Sequence, residues 1–171
     1  MQSPQDPKDA GKSNPTAPPV PEMVGATSAP FFIGPGTTQI TLAMHAPTGP
    51  ALLRAGSTKR EVSLEIENVT CNRRSPSFRV YLNVPAGDAP EQHPELRAGN
   101  LGMFGLVESS DPNGEHGGSG MTFSLDVTDL FARLAARKDW DSHNLRVTFV
   151  PAAWDAPVPK VQVGRVSLYF L

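Results

Sequence analysis

Nearly every stretch of this chain with a readable hydrophobic period repeats every second residue. The clearest is REVSLEIENVT (60–70). Val62, Leu64 and Ile66 point one way there, and Glu61, Ser63, Glu65 and Glu67 the other. Side chains of a strand alternate between its two faces, so this is a strand with one face inside. TTQITLAM puts Ile40, Leu42 and Met44 on one face, and MTFSLDV does the same with Met121, Phe123, Leu125 and Val127. SFRVYLNVP (77–85) alternates Phe78, Val80, Leu82 and Val84 with Arg79, Tyr81 and Asn83 before Pro85 stops it. It follows the first strand after a short connection, which suggests an antiparallel pair. LGMFGLV (101–107) reads as a strand weakened by Gly102 and Gly105, and NLRVTFVP alternates again. In VQVGRVSLYFL the phase slips at Gly164, as a β-bulge would require.

Between these runs lie turn-rich segments carrying most of the 18 prolines and 15 glycines. Only TDLFARLAAR has a helical period. Val127, Leu130, Phe131 and Leu134 follow i, i+3, i+4, i+7, Asp126 and Asp129 suit its start, and Arg137 and Lys138 suit its end. About seven short strands with one short helix argue for an antiparallel β-sandwich or Greek-key barrel.

A chain of 171 residues is one ordinary domain. Residues 1–21 hold six of the prolines and few apolar side chains, too little to offset the entropy of ordering. They read as a flexible tail or linker, and 22–171 as the folded domain. The net charge of −2 comes without a basic run, which argues against a nucleic-acid partner. No stretch has the length of a membrane span. Cys71 is the only cysteine, so no internal disulfide can form, and MQSPQDPKD is not an apolar leader. The expected setting is a reducing one, the bacterial cytoplasm.

Signals for chemistry are weak. His45, His93, His116 and His143 are scattered, with no two at local ligand spacing and none near Cys71. A blue-copper site would gather Cys and His on one short loop, and CNRRSPSFRV has no histidine. Cys71 reads as a small core residue or an inert thiol. Ser119 lies near His116, but the glycines of GGSG suggest a loop too mobile to hold attack geometry. DPNGEHG reads as a turn, since it lacks the other ligands of a calcium loop. Trp140 and Trp154 sit in loop contexts. Each can anchor an interface or close the end of a sandwich.

SFRVYLNVP resembles the Lys-Phe-Asp-Val-Tyr-Ile-Asn motif in the C-terminal domain of plant polyphenol oxidases. Phe78, Val80, Tyr81 and Asn83 match, while Ser77 and Arg79 replace the lysine and aspartate. The order of neighbouring segments is also similar. LEIENV precedes the motif; LGMFGLV, EHG, SLDVTDLFARL, LRVTFVP and VGRVSLYF follow it; and PEMVGAT resembles the linker after the catalytic domain of tyrosinase-like proteins. The two departures suggest a distant, bacterial branch. The resemblance implies the non-catalytic part of a tyrosinase or catechol oxidase. The family's copper pair, held by six histidines on a helical bundle, would then belong to a catalytic partner domain, in cis or in trans, and this chain would hold no cofactor. In that family the C-terminal domain covers the copper site and a side chain holds off phenols until the domain is cleaved or moved. The candidate plugs are Met103 and Phe104, then Phe31 and Phe32, with ordinary core packing as the alternative, and the Pro-rich tail would be the cleavable tether. Two other readings stay open: a free-standing β-sandwich binding a protein or carbohydrate through its tryptophan loops, and a small metalloprotein using Cys71 and histidines.

Overall fold

The computed structural model describes residues 21–45 and 60–171. The Pro-rich tail, except for Pro21, and most of the HAPTGPALLRAGS connection lie outside the described residues. The described residues form ten strands, not seven. Eight form one antiparallel sheet that curls until it nearly closes: β1 (Glu22–Ala26), β3 (Thr38–Met44), β4 (Val62–Val69), β5 (Phe78–Leu82), β6 (Arg97–Leu101), β7 (Met121–Asp126), β8 (Asn144–Pro151) and β10 (Arg165–Phe170). Their order is β6-β5-β8-β3-β1-β10-β4-β7. β2 (Phe31–Ile33) and β9 (Val161–Val163) pair separately. The two edges of the large sheet meet side chain to backbone: a Cβ on Gly99 of β6 would lie 2.9 Å from Leu125 of β7. The missing side chain is what lets the barrel draw shut.

The inward faces are those the period of two assigns. Leu42, Leu64, Ile66, Phe78, Val80, Leu82, Val147, Phe149, Val166, Leu168 and Phe170 are all buried in one core. The second helix of the fold, α2 (Thr128–Ala135), follows β7 as expected. Asp126 starts it by accepting from the Thr128 N–H at 2.9 Å and the Thr128 hydroxyl at 2.6 Å. Leu130 and Leu134 are buried, and Phe131 packs edge-on against both Phe170 and Trp140. α2 therefore closes one end of the barrel, here the α2 end.

Four expectations need correction. β4 and β5 do not pair: β4 lies between β10 and β7, and β5 between β8 and β6. Closure of the sheet separates strands that follow each other in sequence. Gly164 is not a bulge but the point where the chain leaves the small β2–β9 sheet for β10; its N–H donates to the carbonyls of Glu67 and Asn68. Ser63 faces outward yet is buried, its hydroxyl held within a cluster with Ser124 and Glu65 at 2.6–2.9 Å. LGMFGLV is not a strand: only Leu101 belongs to β6, and Leu106–Ser109 forms the short helix α1. The strand it was expected to supply begins earlier, at Arg97, behind two prolines that mask it.

Those prolines start two 3₁₀ turns, Pro90–Gln92 and Pro94–Leu96. The segment folds back over the outer face of β5, where Glu91 pairs with Arg79 at 3.2 Å and Pro90 and Leu96 are buried. His93 sits between the two turns as a clasp. Its Nε2 meets Asp88 at 2.8 Å and its Nδ1 meets Glu95 at 3.2 Å. The hydrogen bond to Asp88 is the largest influence on His93; with help from Glu95 it outweighs the opposing desolvation and holds the imidazole above its ordinary 6.5. Glu95 is held below 4.5, first by its own backbone N–H and then by His93. A raised histidine stabilises fully below 6.5 and loses its contribution as pH climbs through the folded value. A depressed carboxylate stabilises fully above 4.5 and fails on acidification. The clasp is therefore complete between those limits. In thermal unfolding, the Tm gap between the parent and His93→Gln should be open near pH 5.5 and shrink as pH rises past the histidine's folded value. A gap independent of pH would count against the clasp.

Candidate functional site

The end opposite α2 holds α1, the β2–β9 pair and the strand ends Leu101, Pro151, Val69 and Met121. Here β6 leads into a turn with an unusual distribution of burial. Leu101 is buried, Met103 is 9% exposed, Phe104 is 98% exposed and Leu106 is buried again. Gly105 has φ +79°, a left-handed conformation that suits glycine and disfavours a β-carbon. The Leu106 N–H donates to the Met103 carbonyl. Leu101, Met103 and Leu106 thus root the turn in the core, and the phenyl ring of Phe104 stands out in water.

The base of the turn is tied from two sides. The Ser110 hydroxyl donates to the Leu106 carbonyl at 2.6 Å and accepts from the Cys71 N–H at 3.0 Å. The Gly120 N–H donates to the Ser109 carbonyl at 3.0 Å. The GGSG segment is therefore not the untethered loop its composition suggests. Asp111 makes the expected turn, accepting from the Asn113 N–H at 2.9 Å.

The four candidate plugs separate. Met103 is core, which matches the packing alternative for that residue. Phe104 is not core. Phe31 lies 5.9 Å from the Phe149 ring and is half-buried, whereas Phe32, on the other face of β2, is 56% exposed. The tryptophans separate as well. Trp140 closes the α2 end, 5.4 Å from Phe131, and lines a cavity of about 260 Å³ with Asn83, Arg137 and Arg146. Trp154, beyond β8, stays 43% exposed.

The stretch shared with polyphenol oxidases is scaffold. Phe78 and Val80 face the core, and Tyr81 is buried on the outer side. Asn83 ends β5 at φ +51°, its N–H donating to the Arg146 carbonyl and its Oδ1 accepting from the Arg146 N–H, both at 2.9 Å. Asparagine tolerates that backbone and supplies the second bond. Asn83→Ala should cost about 2 kcal/mol in urea unfolding, whereas Asn83→Asp, which keeps the acceptor, should cost less than about 1 kcal/mol. Equal losses would count against this role.

The histidines do not fit a dicopper centre. His93 is committed to two carboxylates, His45 and His143 flank strands at the α2 end, and His116 lies in the turn beyond α1. Among the described residues no group of three or more His, Cys, Asp or Glu side chains is arranged to hold a metal. Cys71 is buried, its Sγ 3.6 Å from the Lys160 carbonyl. No helix among the described residues is long and apolar enough to cross a membrane.

Residues 20–170 match the family described as a domain of unknown function (DUF7868). Tyrosinase HcTyr1 of Hahella sp. (strain CCB-MM4) is 36% identical over 155 residues, a match covering 88% of this chain and 33% of that protein. The chain thus spans about a third of the length of the curated relative it matches. Among solved structures, recombinantly expressed latent aurone synthase (polyphenol oxidase) superposes with a TM-score of 0.55 at 16% identity, over 85% of this chain and 26% of that one. Latent aurone synthase from its natural source gives 0.52 at 14% identity, over 80% and 24%. At such identities the structures speak for a shared fold. The similarity read from the strand sequences holds in the Hahella relative: the chain belongs to the DUF7868 family and is homologous to about one third of a tyrosinase.

Proposed function

We propose that this chain is the non-catalytic covering domain of a tyrosinase-like copper oxidase. It packs over the copper pair of a separate catalytic domain, places Phe104 where a phenol ring would bind, and restrains oxidation until it is cut away or displaced. The observation that carries this reading is the Phe104 turn, an almost fully exposed ring on a base buried on both sides. A blocker must be rigid at its root and bare at its tip, because ordering a loose loop would consume the binding energy of one ring. Homology to only a third of a tyrosinase supports a catalytic partner, which would hold the copper. A tether holds the domain at a local concentration of about millimolar, so the contacts of the whole covering face need only modest strength in total.

The test is a chimera in which this chain replaces the matching third of the Hahella tyrosinase, with a protease site inserted ahead of residue 21. Before cutting, catechol oxidation should run at roughly a tenth of the rate or less reached after cutting and removal of the domain. Equal rates would rule out restraint. The alternative, a free-standing interaction module, rests on the exposure of Trp154. It predicts equal rates together with binding of a different partner.

A further inference from the structure

We propose that Phe32 and Trp154 form the docking surface for the catalytic domain, so that holding the partner and blocking its pocket fall to different side chains at one end of the barrel. This rests on the covering role proposed above and assigns it a contact face.

The placement follows from the strand register. Phe78 pairs with Leu101 on one side and with Pro151 on the other, so β6, β5 and β8 finish level. Neighbouring strands lie about 4.8 Å apart, which puts Leu101 and Pro151 roughly 10 Å from each other. Phe104 stands three residues beyond the first and Trp154 three beyond the second. β2 joins them, because Phe31 packs on Phe149, two residues before Pro151, and turns Phe32 outward. Five large apolar side chains are exposed among the described residues: Met23, Phe32, Phe104, Trp154 and Leu171. The three aromatic ones share the α1 end. Met23 and Leu171 lie at the α2 end, beside Tyr169 and Glu61. The α2 end uses its own aromatic pair, Phe131 and Trp140, to close the barrel. Phe32 and Trp154 both remain exposed to solvent, at 56% and 43%.

Phe104 alone is too weak to keep a site covered. Burying one phenyl ring strengthens association by roughly thirtyfold, equivalent to a dissociation constant of about 30 mM. Against a tether of about millimolar strength, the pocket would be filled roughly a tenth of the time at most. Two further rings of the kind that dominate interface energies supply what is missing. The occupant is the part of the tyrosinase that lies outside this region, two thirds of the Hahella protein by length.

The probe is that catalytic part of the Hahella tyrosinase, copper-loaded, mixed with the full 171-residue chain. The double variant Phe32→Ser/Trp154→Ser should bind at least tenfold more weakly, yet still inhibit fully once its concentration is raised in compensation. Phe104→Ala should never inhibit fully, even at concentrations where it is saturatingly bound. Met23→Ser, altered at the other end, should match the parent chain. All four residues are exposed, so Tm should stay within about 2 °C of the parent in each variant. Binding unchanged by the double variant would overturn the docking face while leaving the Phe104 reading intact. Absence of both binding and inhibition by the parent chain would overturn both.

Discussion

Replacing Phe104 with alanine in the tethered chimera should make the uncut enzyme active. The ring touches little of its own domain, so its loss falls on the blocked state alone. Burial of a phenylalanine side chain contributes about 1.5–3 kcal/mol, and the middle of that range shifts the ratio of covered to open enzyme by roughly thirtyfold. In the proposed covering role the ring would occupy the substrate's place and so compete with substrate. The variant should show an apparent KM for catechol lower by roughly tenfold, the extent of the block, with kcat unchanged. Thermal stability should move by less than about 1 °C, because an exposed side chain on a turn contributes little to folding. The companion substitution Met103→Ala should behave differently. Met103 is buried at the root of the turn, so its truncation should lower Tm as well as loosen the block. A variant lacking Phe104 that stayed as latent as the parent would remove the ring from the mechanism.

The sequence makes one half of this picture legible and hides the other. Strand faces can be read because a period of two is a local signal. Val62, Leu64 and Ile66, or Phe78, Val80 and Leu82, announce their burial without knowledge of their partners. The pairing is non-local and was not legible. Nothing near Phe78 says that its strand will lie between β6 and β8, and not beside β4. β6 is hidden in the sequence because RAGNL is short on apolar residues and follows two prolines. β1 and β2 are hidden because the turn-rich PEMVGATSAPFFIGPG offers too few alternating positions to show a period. At the site, the sequence marked Met103 and Phe104 together but could not separate them. Burial of the first and exposure of the second depend on where Gly102 and Gly105 turn the chain, and those glycines first suggested a damaged strand. The distinction between Trp140 and Trp154 is equally non-local. It rests on α2 bringing Phe131 under the first and leaving the second open.

The second large effect is expected at Gly120, outside the exposed face. This residue has φ +76°, and a Cβ there would lie 2.2 Å from the Val69 carbonyl oxygen and 2.6 Å from the Thr70 methyl. The first of these obstacles is backbone. A side-chain rotation cannot clear it, so β4 and β7 would have to part where Val69 faces Met121. Gly120→Ala should therefore cost about 3 kcal/mol or more, adding left-handed strain to overpacking, and lower Tm by roughly 6–12 °C in a domain of this size. Gly117 supplies the control. Its φ is +57° and a Cβ there would meet nothing within 4 Å. Gly117→Ala should then carry only the conformational penalty, about 1 kcal/mol. The Gly120 N–H also holds the Ser109 carbonyl, and Ser109 closes the helix that supports the Phe104 turn. A damaged anchor should thus release latency in the uncut chimera at temperatures below global unfolding, although no atom of the exposed face has changed. Matching losses for the two glycine variants would mean that the strands yield easily around Gly120, and the Phe104 turn would then need another source of rigidity.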